Sequence, residues 1–559
     1  MKRFVVGLLW LAGILVGRAA DLPALNVGAV TEKQLWIPMR DGVRLSAYAY
    51  FPAGAGPWPV IFQLRYNTVA KDATRRLTAK LAEKNFVVVN VNFRGAQLSE
   101  GDWVGYRTIG WGERQDGYDT CEWLAAQSWS TGKVGTFGNS QAGFAQNLLA
   151  VTRPPHLVAQ YMVDTGLSLF HEGYRIGGTT RPERFKVAIG DMGVARVPAH
   201  HRRLMEEWFE HPHYDAYWQQ EDASRHFERM DLPCFTVGSW YDFMCAGSVD
   251  SFVGRQHRGG PGSRGRQQLL LGPWLHGGAP KPNKVGELTY PENARFDVDA
   301  HMLRWFDHYL KGVDNGAERE PVVRYYVMGA AGEPGAPGNG WREAADWPVA
   351  ATPTSYFLQP GGALATTAPA AGGGSTTWLA DPLHPAEIKQ AGIPVTSFPG
   401  ARDARNFEAQ PNVLTFTTAP LAEPVEWTGR VATELWVTST AKDTDFIVRV
   451  SDVYPDGRSM LIVDSIRRAR YREGFEREQL LTPGALHRIA FDLGWLSLVF
   501  NRGHRIRVTV ASTGGPFYES NPNTGAPLTM EFPANAIVAR NTLYHHSGRA
   551  SRIIAPVRP

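Results

Sequence analysis

Residues 133–144, KVGTFGNSQAGF, constrain the fold of this chain more than any other segment. A short apolar run ends at Gly138, a serine follows at Ser140, and Ala142 and Gly143 lead into a second apolar run of helical character. Small residues are needed on both sides of such a serine because a sharp strand-to-helix turn brings the two backbones very close together. The segment therefore predicts a strand, a tight turn and a helix, with the hydroxyl of Ser140 exposed at the turn.

The flanking regions alternate between strand and helix patterns. Residues 35–51 alternate apolar and polar side chains around Asp41 and Gly42, which predicts an antiparallel hairpin. Beyond it, short β-branched runs alternate with amphipathic stretches, as is typical of a mostly parallel, doubly wound sheet with helices on both faces. The predicted strands are 59–64, 86–92, 134–137, 157–163, 234–237, 267–271 and 321–328, and the predicted helices include 72–84, 116–127 and 300–311.

Two further patterns divide the chain. Residues 164–230 lack strand runs and, in 184–190 and 199–210, carry bulky apolar residues at helical spacing, which predicts a helical insertion over the sheet. After Gly- and Pro-rich loops at 329–340 and 360–375, short strands punctuated by turns predict a β-sandwich or jelly roll. We therefore assign 21–350 to an α/β unit with an insertion at about 165–230, and 351–559 to a C-terminal β unit.

The N-terminus has the order of a secretory signal peptide over residues 1–20. Lys2 and Arg3 precede an apolar run over 4–16, and small residues follow at Ala19 and Ala20. A membrane anchor is the alternative, but the run is short for a bilayer and contains two glycines. No later stretch is long and apolar enough to span a membrane. We expect export to the periplasm or the cell exterior, with no stable membrane span after cleavage.

Composition excludes several classes of protein and site. A chain that is 43% hydrophobic and 20% charged is not disordered, and a net charge of +4 without a basic run argues against nucleic-acid binding. Cys121, Cys234 and Cys245 are too few for a disulfide framework and are expected as buried thiols, although a Cys234–Cys245 bridge stays open. The histidine pairs lack accompanying ligands at metal-site spacing, so neither a metal nor another cofactor is expected.

The Ser140 turn has the pattern of the nucleophile elbow of α/β-hydrolases, with Ala142 in place of the second glycine. An ordinary Gly-rich turn is the alternative interpretation of so short a motif. A serine nucleophile needs a base and a group that orients the base, and in this fold the acid precedes the histidine along the chain. Asp242 follows the predicted strand 234–237, and His276 follows the predicted strand 267–271, so both lie where an open sheet gathers its ligands.

Motifs spread along the chain resemble the CocE/NonD hydrolases of the X-Pro dipeptidyl-peptidase (peptidase S15) group. The resemblance runs from about Leu35 to the C-terminus and includes the GNSQAG turn. Its further motifs are Met39-Arg40-Asp41-Gly42-Val43, Arg94-Gly95, Trp240-Tyr241-Asp242, Gly272-Pro273-Trp274 with His276, Asp443-Thr444-Asp445-Phe446 and Gly503-His504-Arg505.

The resemblance implies an α/β-hydrolase domain with an inserted helical cap, followed by a C-terminal jelly roll. It implies Ser140 as nucleophile, His276 as base and then acid, and Asp242 as the residue that orients the imidazole. The oxyanion hole would combine the backbone N–H of Gln141 with the hydroxyl of Tyr66. The chain departs from the family pattern at Gln141, where the family usually has tyrosine, and before Tyr66, where it usually has proline.

The expected function is an exported serine hydrolase that cleaves carboxylic esters, with amides as a further class, through an acyl-enzyme. Amino-acid ester hydrolases carry an acidic pair two and three residues after the catalytic aspartate, and this chain has Met244 and Cys245 there. One alternative is an X-Pro dipeptidyl-peptidase that uses a cap carboxylate such as Asp215 or Glu221 for the substrate N-terminus. Another is a non-catalytic protein whose β unit binds glycans. The expected partner is a small ester or a short peptide, and the oligomeric state is open.

Overall fold

The N-terminal part is built on one large sheet. A computed structural model describes residues 23–180, 194–277, 283–388, 400–529 and 532–559, so the predicted signal peptide and the predicted helix at 184–190 lie outside the described residues. The strands are β1 (Thr31–Pro38), β2 (Arg44–Phe51), β3 (Trp58–Arg65), β4 (Val87–Asn92), β5 (Ser130–Asn139), β6 (Leu157–Val163), β7 (Cys234–Ser239), β8 (Gln267–Gly272), β9 (Lys284–Val285), β10 (Leu288–Thr289), β11 (Val323–Val327) and β12 (Gly340–Ala344).

Within the described ranges the main sheet has the order β1-β2-β4-β3-β5-β6-β7-β8-β11-β12, and β9 and β10 form a separate small hairpin. Neighbours from β4 to β11 pair in parallel, while β1, β2 and β12 pair antiparallel at the two edges. The predicted hairpin around Asp41 and Gly42 is thereby confirmed as β1 and β2. The parallel order brings the carboxyl ends of β5, β6, β7 and β8 to one edge of the sheet.

Helices cover both faces of this sheet. The α-helices are α1 (Asp72–Ala82), α2 (Asp116–Ala125), α3 (Gln141–Thr152), α4 (Pro198–Glu210), α5 (Ala216–Gln219), α6 (Cys245–Arg258), α7 (Val298–Lys311) and α8 (Arg405–Glu408). Helices α2 and α3 pack on one face, and α1 and α7 pack on the other. Helix α7 ends as the sequence predicts, since Gly312 adopts a left-handed conformation at its C-terminus. No helix in the described ranges has an apolar stretch long enough to cross a membrane.

The connection from β6 to β7 is helical in its described residues. It contains a π-helical turn at Leu169–Tyr174, a 3-10 turn at Ile176–Gly178, helices α4 and α5, and a 3-10 segment at Ala223–Arg229. The helix predicted at 199–210 corresponds to α4. This connection begins at the sheet edge where β5 to β8 end, so it lies beside the predicted site.

The C-terminal part is all-β, as the sequence predicts. Its strands form one sheet around the long pair β17 and β20 and a second sheet in the order β16-β21-β18-β19. The bounds are β13 (Thr352–Leu358), β14 (Leu364–Ala365), β15 (Ser375–Ala380), β16 (Leu414–Thr417), β17 (Val425–Ser439), β18 (Asp445–Val453), β19 (Ser459–Arg468), β20 (His487–Phe500), β21 (Arg505–Ala511), β22 (Ala539–His546), β23 (Arg549–Ala550) and β24 (Arg552–Val557).

One apolar core continues from the α/β part into the all-β part. The ring of Trp347, which is fully buried, lies 6.1 Å from Trp240, 5.3 Å from Tyr325 and 5.9 Å from Trp495, measured between ring centroids. Trp240 and Tyr325 belong to the α/β part, whereas Trp495 lies on β20. The two parts therefore bury apolar surface against each other next to the β7–α6 loop.

Candidate active site

Ser140 stands at the turn between β5 and α3, with a backbone conformation that is rare for a residue with a side chain. Its φ is 55° and its ψ is −117°, which lies outside the regions that L-residues normally occupy. The turn is held by the N–H of Ser140, which donates to the carbonyl oxygens of Val163 at 3.0 Å and Asp164 at 3.2 Å. Strain of about 1–3 kcal/mol persists only where surrounding structure imposes it, and it clusters at functional sites. The predicted sharp turn is confirmed.

The small residues flanking Ser140 are required by close contacts. Gly138 has a φ of 134°, and a Cβ placed on it would lie 2.6 Å from the Cβ of Ala142. A glycine two residues before the serine therefore leaves room for an alanine two residues after it. The replacement of the second glycine by Ala142 is compatible with the turn because the space comes from Gly138.

Asp242 and His276 form the hydrogen bond that a base and its orienting acid need. The Nδ1 atom of His276 lies 2.8 Å from Oδ1 of Asp242, whose side chain is fully buried. The two loops are tied together where the N–H of Tyr241 donates to the carbonyl oxygen of Trp274 at 3.0 Å. The ring of Phe243 packs beside the imidazole with centroids 5.0 Å apart. The bond to Asp242 leaves Nε2 as the imidazole nitrogen that does not contact the acid.

A second carboxyl group, which is not among the residues predicted from the sequence, lies in the same cluster. Asp164 follows β6 directly, is fully buried, and accepts a hydrogen bond from the N–H of Gly277 at 2.7 Å. One ligand atom each of Asp164, Asp242 and His276 lies within 4.8 Å of the others. Burial, reinforced by the nearby Asp242 charge, raises the pKa of Asp164 to about 7. Its position after a strand between β5 and β7 is the signal that would have identified it.

The side chain of Gln141 connects the nucleophile turn to the Tyr66 loop. Its amide oxygen accepts hydrogen bonds from the backbone N–H groups of Tyr66 at 2.9 Å and Asn67 at 3.1 Å. Gln141 is the first residue of α3, where backbone N–H groups have no partner within the helix. The glutamine that departs from the family pattern thus places the Tyr66 loop beside the start of α3.

The ring of Tyr66 is held by an aromatic cluster. It packs edge-on against Phe93, Trp103 and Tyr106 with centroid distances of 5.7–6.0 Å. A tyrosine held in this way keeps a defined ring position, as a hydrogen-bond donor to a developing negative charge requires. The oxyanion role of Tyr66 stays a prediction.

Asp164, Asp242 and His276 also have the donor types of a metal site. However, the imidazole and the carboxylate of Asp242 already bond to each other, and Asp164 bonds to the Gly277 backbone. Bonds of this kind orient a histidine toward a serine without a metal. Cys121, Cys234 and Cys245 are buried free thiols, as the sequence predicts, so no bridge joins Cys234 to Cys245.

Two family models match the chain. The X-Pro dipeptidyl-peptidase (S15 family) model matches residues 41–203 and 186–278, and so includes Ser140, Asp242 and His276. The X-Pro dipeptidyl-peptidase C-terminal non-catalytic domain model matches residues 315–554. The first match lies within the α/β part, and the second covers β11 and β12 of the main sheet together with most of the all-β part.

Similar proteins span nearly the whole chain. A cocaine esterase from Rhodococcus sp. strain MB1 Bresler is 28% identical, and the alignment covers 93% of this chain and 97% of that protein. A protein of Mycobacterium bovis named as a serine esterase is 26% identical, with coverage of 93% and 94%. Among solved structures, an α-amino acid ester hydrolase superimposes with a TM-score of 0.82 at 24% identity, covering 98% of this chain and 100% of that one. By its sequence matches and its shared fold, the chain belongs to the CocE/NonD family of serine hydrolases.

Proposed function

We propose that this chain is an exported esterase that hydrolyses carboxylic esters through an acyl-enzyme. The observation that carries the proposal is the buried Asp242–His276 hydrogen bond at the same sheet edge as the strained Ser140 turn. Two relatives that align over almost their full lengths are named as esterases, which supports an ester as substrate. The helical β6–β7 connection would serve as the cap, the all-β part as the jelly roll, and residues 1–20 as the signal peptide.

The chemistry follows from the roles of three side chains. Nε2 of His276 takes the proton of Ser140 as its Oγ attacks the ester carbonyl, and Asp242 stabilises the imidazolium that forms. The N–H of Gln141 and the hydroxyl of Tyr66 donate hydrogen bonds to the oxyanion. The imidazolium then protonates the leaving alcohol, and water, activated by His276, releases the acid and restores Ser140.

The peptidase alternative needs an anion for a free N-terminus, and the predicted carboxylates are already engaged. Asp215 pairs with His211 at 2.6 Å and caps α5, while Glu221 is buried beside Arg107 at 3.6 Å. Met244 and Cys245, at the positions of the acidic pair of amino-acid ester hydrolases, are buried apolar residues. These contacts favour an ester without an α-ammonium group.

The decisive experiment compares hydrolysis of p-nitrophenyl butyrate and Gly-Pro p-nitroanilide by the mature protein. We expect rapid ester turnover with little anilide cleavage, and we expect Ser140→Ala to lower kcat by about 10⁴-fold or more because nucleophile and base act as a unit. Ser130→Ala, at the other end of β5, is the matched control and should retain activity. A loss below tenfold in Ser140→Ala would overturn the assignment, and dominant anilide cleavage would make the protein a dipeptidyl-peptidase.

A further inference from the structure

A cavity of about 340 Å³ lies between the β7–α6 loop, the start of the β6–β7 connection and the strands β19 and β20. Its walls include Trp240, Phe243, Phe475 and Trp495 together with aliphatic side chains of β19. The volume is within the range of small-molecule sites, which are mostly apolar with a few placed polar groups. Because Phe243 also packs on His276, the cavity adjoins the predicted triad.

Arg467 on β19 brings a positive charge to this cavity. Its guanidinium stacks over Phe475 at 4.4 Å and donates from Nη1 to the carbonyl oxygen of Tyr471 at 3.1 Å. Its Nε is buried and has no hydrogen-bond partner, and no carboxylate of the described residues is within ion-pair distance of the group. Burial lowers the pKa of Arg467 to about 10, so the side chain is still cationic at neutral pH.

The other charged groups around the cavity form their ion pairs with residues other than Arg467. Asp492 pairs with Arg430 at 3.0 Å, and Arg430 also binds Asp250. The charge of Asp492 also acts on Arg467, whose pKa it raises, but without an ion pair between them. Asp464 pairs with Arg449 at 2.8 Å. Asp242 is engaged by His276.

Glu172 and His171, two side chains of the π-helical turn that line the cavity, are uncharged at neutral pH. Burial raises the pKa of Glu172 to about 8, so this carboxyl group is largely protonated there. Burial lowers the pKa of His171, which keeps that imidazole neutral. Among the described residues, the cavity therefore presents a guanidinium without an ion-pair partner, in a wall of mixed apolar and polar side chains.

We propose that this cavity binds an organic carboxylate with an aromatic or branched aliphatic body, and that Arg467 is the counter-ion of its carboxylate. A guanidinium matches a carboxylate in geometry and forms charge-assisted hydrogen bonds that are stronger than neutral ones. The aromatic walls suit an apolar body of moderate size. The molecule that carries this carboxylate is either a substrate or product of the enzyme or a separate effector. The binding itself does not depend on the proposed esterase activity.

The test is isothermal titration calorimetry on the full mature chain with 3-phenylpropionate and its neutral analogue 3-phenylpropionamide. We expect the acid to bind at least about tenfold more tightly than the amide, and Arg467→Gln to abolish this difference. Arg467→Lys keeps the charge and should retain part of the preference. Arg477→Gln is the matched control. It changes an exposed arginine on the connection between β19 and β20, and this variant should bind both ligands as the unmodified chain does.

Three results would overturn the proposal: no binding of the acid, equal binding of acid and amide, or equal weakening of both ligands by Arg467→Gln. The last result would mean that Arg467 only shapes the cavity.

A second measurement identifies the source of the ligand. Competitive inhibition of ester hydrolysis by 3-phenylpropionate would place the carboxylate on a substrate or product, and binding without competition would place it on an effector. Binding stays measurable if the chain hydrolyses no ester, so failure of the proposed function is distinguishable.

Discussion

At the scale of single residues, Asp164 is a buried carboxyl group that contacts the backbone beside two residues of the predicted triad. Its Oδ2 accepts a hydrogen bond from the N–H of Gly277, the residue directly after His276. Its backbone carbonyl oxygen accepts a hydrogen bond from the N–H of Ser140. One residue therefore contacts the backbone on both sides of the predicted reacting atoms. We interpret Asp164 as a positioning residue for the His276 loop.

Substitutions at Asp164 test this interpretation. Asp164→Asn keeps an acceptor oxygen for Gly277 and resembles the protonated acid, so kcat/KM for the ester at pH 6 should stay within about threefold of the unmodified value. Asp164→Ala removes the acceptor and leaves a cavity, and kcat/KM should fall more than about tenfold because the His276 loop shifts. Equal losses in the two variants would contradict the positioning role.

Burial of the Glu172 carboxyl group makes the stability of the folded protein depend on pH. Its pKa of about 8 in the folded protein lies above the ordinary value of 4.5, so the folded state holds a proton that the unfolded state releases. The stability due to Glu172 is complete below about pH 4.5 and is lost as the pH rises to about 8. Glu172→Gln removes this dependence while keeping an oxygen for the N–H of Leu167 and Ser168.

Urea unfolding at pH 5 and pH 8 measures the effect of Glu172. Between these values the free energy of unfolding of the unmodified chain should fall by at least about 1 kcal/mol relative to Glu172→Gln. Glu206→Gln, which changes an exposed residue on α4, is the control, and its free energy of unfolding should depend on pH as that of the unmodified chain does. Parallel pH profiles for the unmodified chain and Glu172→Gln would show that Glu172 is not protonated in the folded state.

At the scale of elements, the β6–β7 connection meets the all-β part through a very close backbone contact. Gly177 has a φ of 61°, and a Cβ placed on it would lie 1.9 Å from the carbonyl oxygen of Ile466 on β19. Gly178, with a φ of 89°, stands similarly against the ring of Tyr471. These two glycines let the 3-10 turn lie directly on β19, beside Arg467.

Gly177→Ala should therefore destabilise the protein by about 2 kcal/mol or more, because strain at a positive φ adds to a steric clash with backbone. Gly361→Ala is the matched control: Gly361 has a φ of 74°, but a Cβ placed on it would meet nothing within 4 Å, so this variant measures the conformational cost alone. Urea denaturation compares the two variants. Equal destabilisation would mean that the contact with Ile466 relaxes freely.

At this scale, the elements that depend on local sequence are the ones that the sequence predicts. The Ser140 turn, the β1–β2 hairpin and the end of α7 at Gly312 depend on residues adjacent in the chain, and all three are confirmed. By contrast, the order of the strands depends on pairing between distant segments. The sequence indicated a mostly parallel sheet, but the placement of β3 between β4 and β5 came from the tertiary structure.

At the scale of the whole molecule, the two parts share one core around Trp347. The indole contacts aromatic rings of both parts and is fully buried. Arg430 on β17 adds a polar link, since it binds Asp250 on α6. We expect the α/β and all-β parts to unfold together because apolar contacts continue from one to the other.

Trp347→Ala should lower the free energy of unfolding by about 3–5 kcal/mol, as expected when a large buried aromatic side chain is removed. Trp36→Ala, a half-buried tryptophan on the edge strand β1, should cost much less. Calorimetry and urea unfolding followed by circular dichroism measure both effects. A near-neutral Trp347→Ala variant would show that the two parts do not depend on their shared core.

The amino-acid sequence alone determined the α/β part, the all-β part and the serine turn, because backbone conformation and hydrophobic periodicity act between near neighbours. It also indicated Asp242 and His276 through their positions after strands. Only the tertiary structure revealed Asp164 beside that pair, the bond from Gln141 to the Tyr66 loop, and the cavity at Arg467. These features join segments far apart in the chain, so they depend on strand order and on packing between the two parts, which local patterns do not encode.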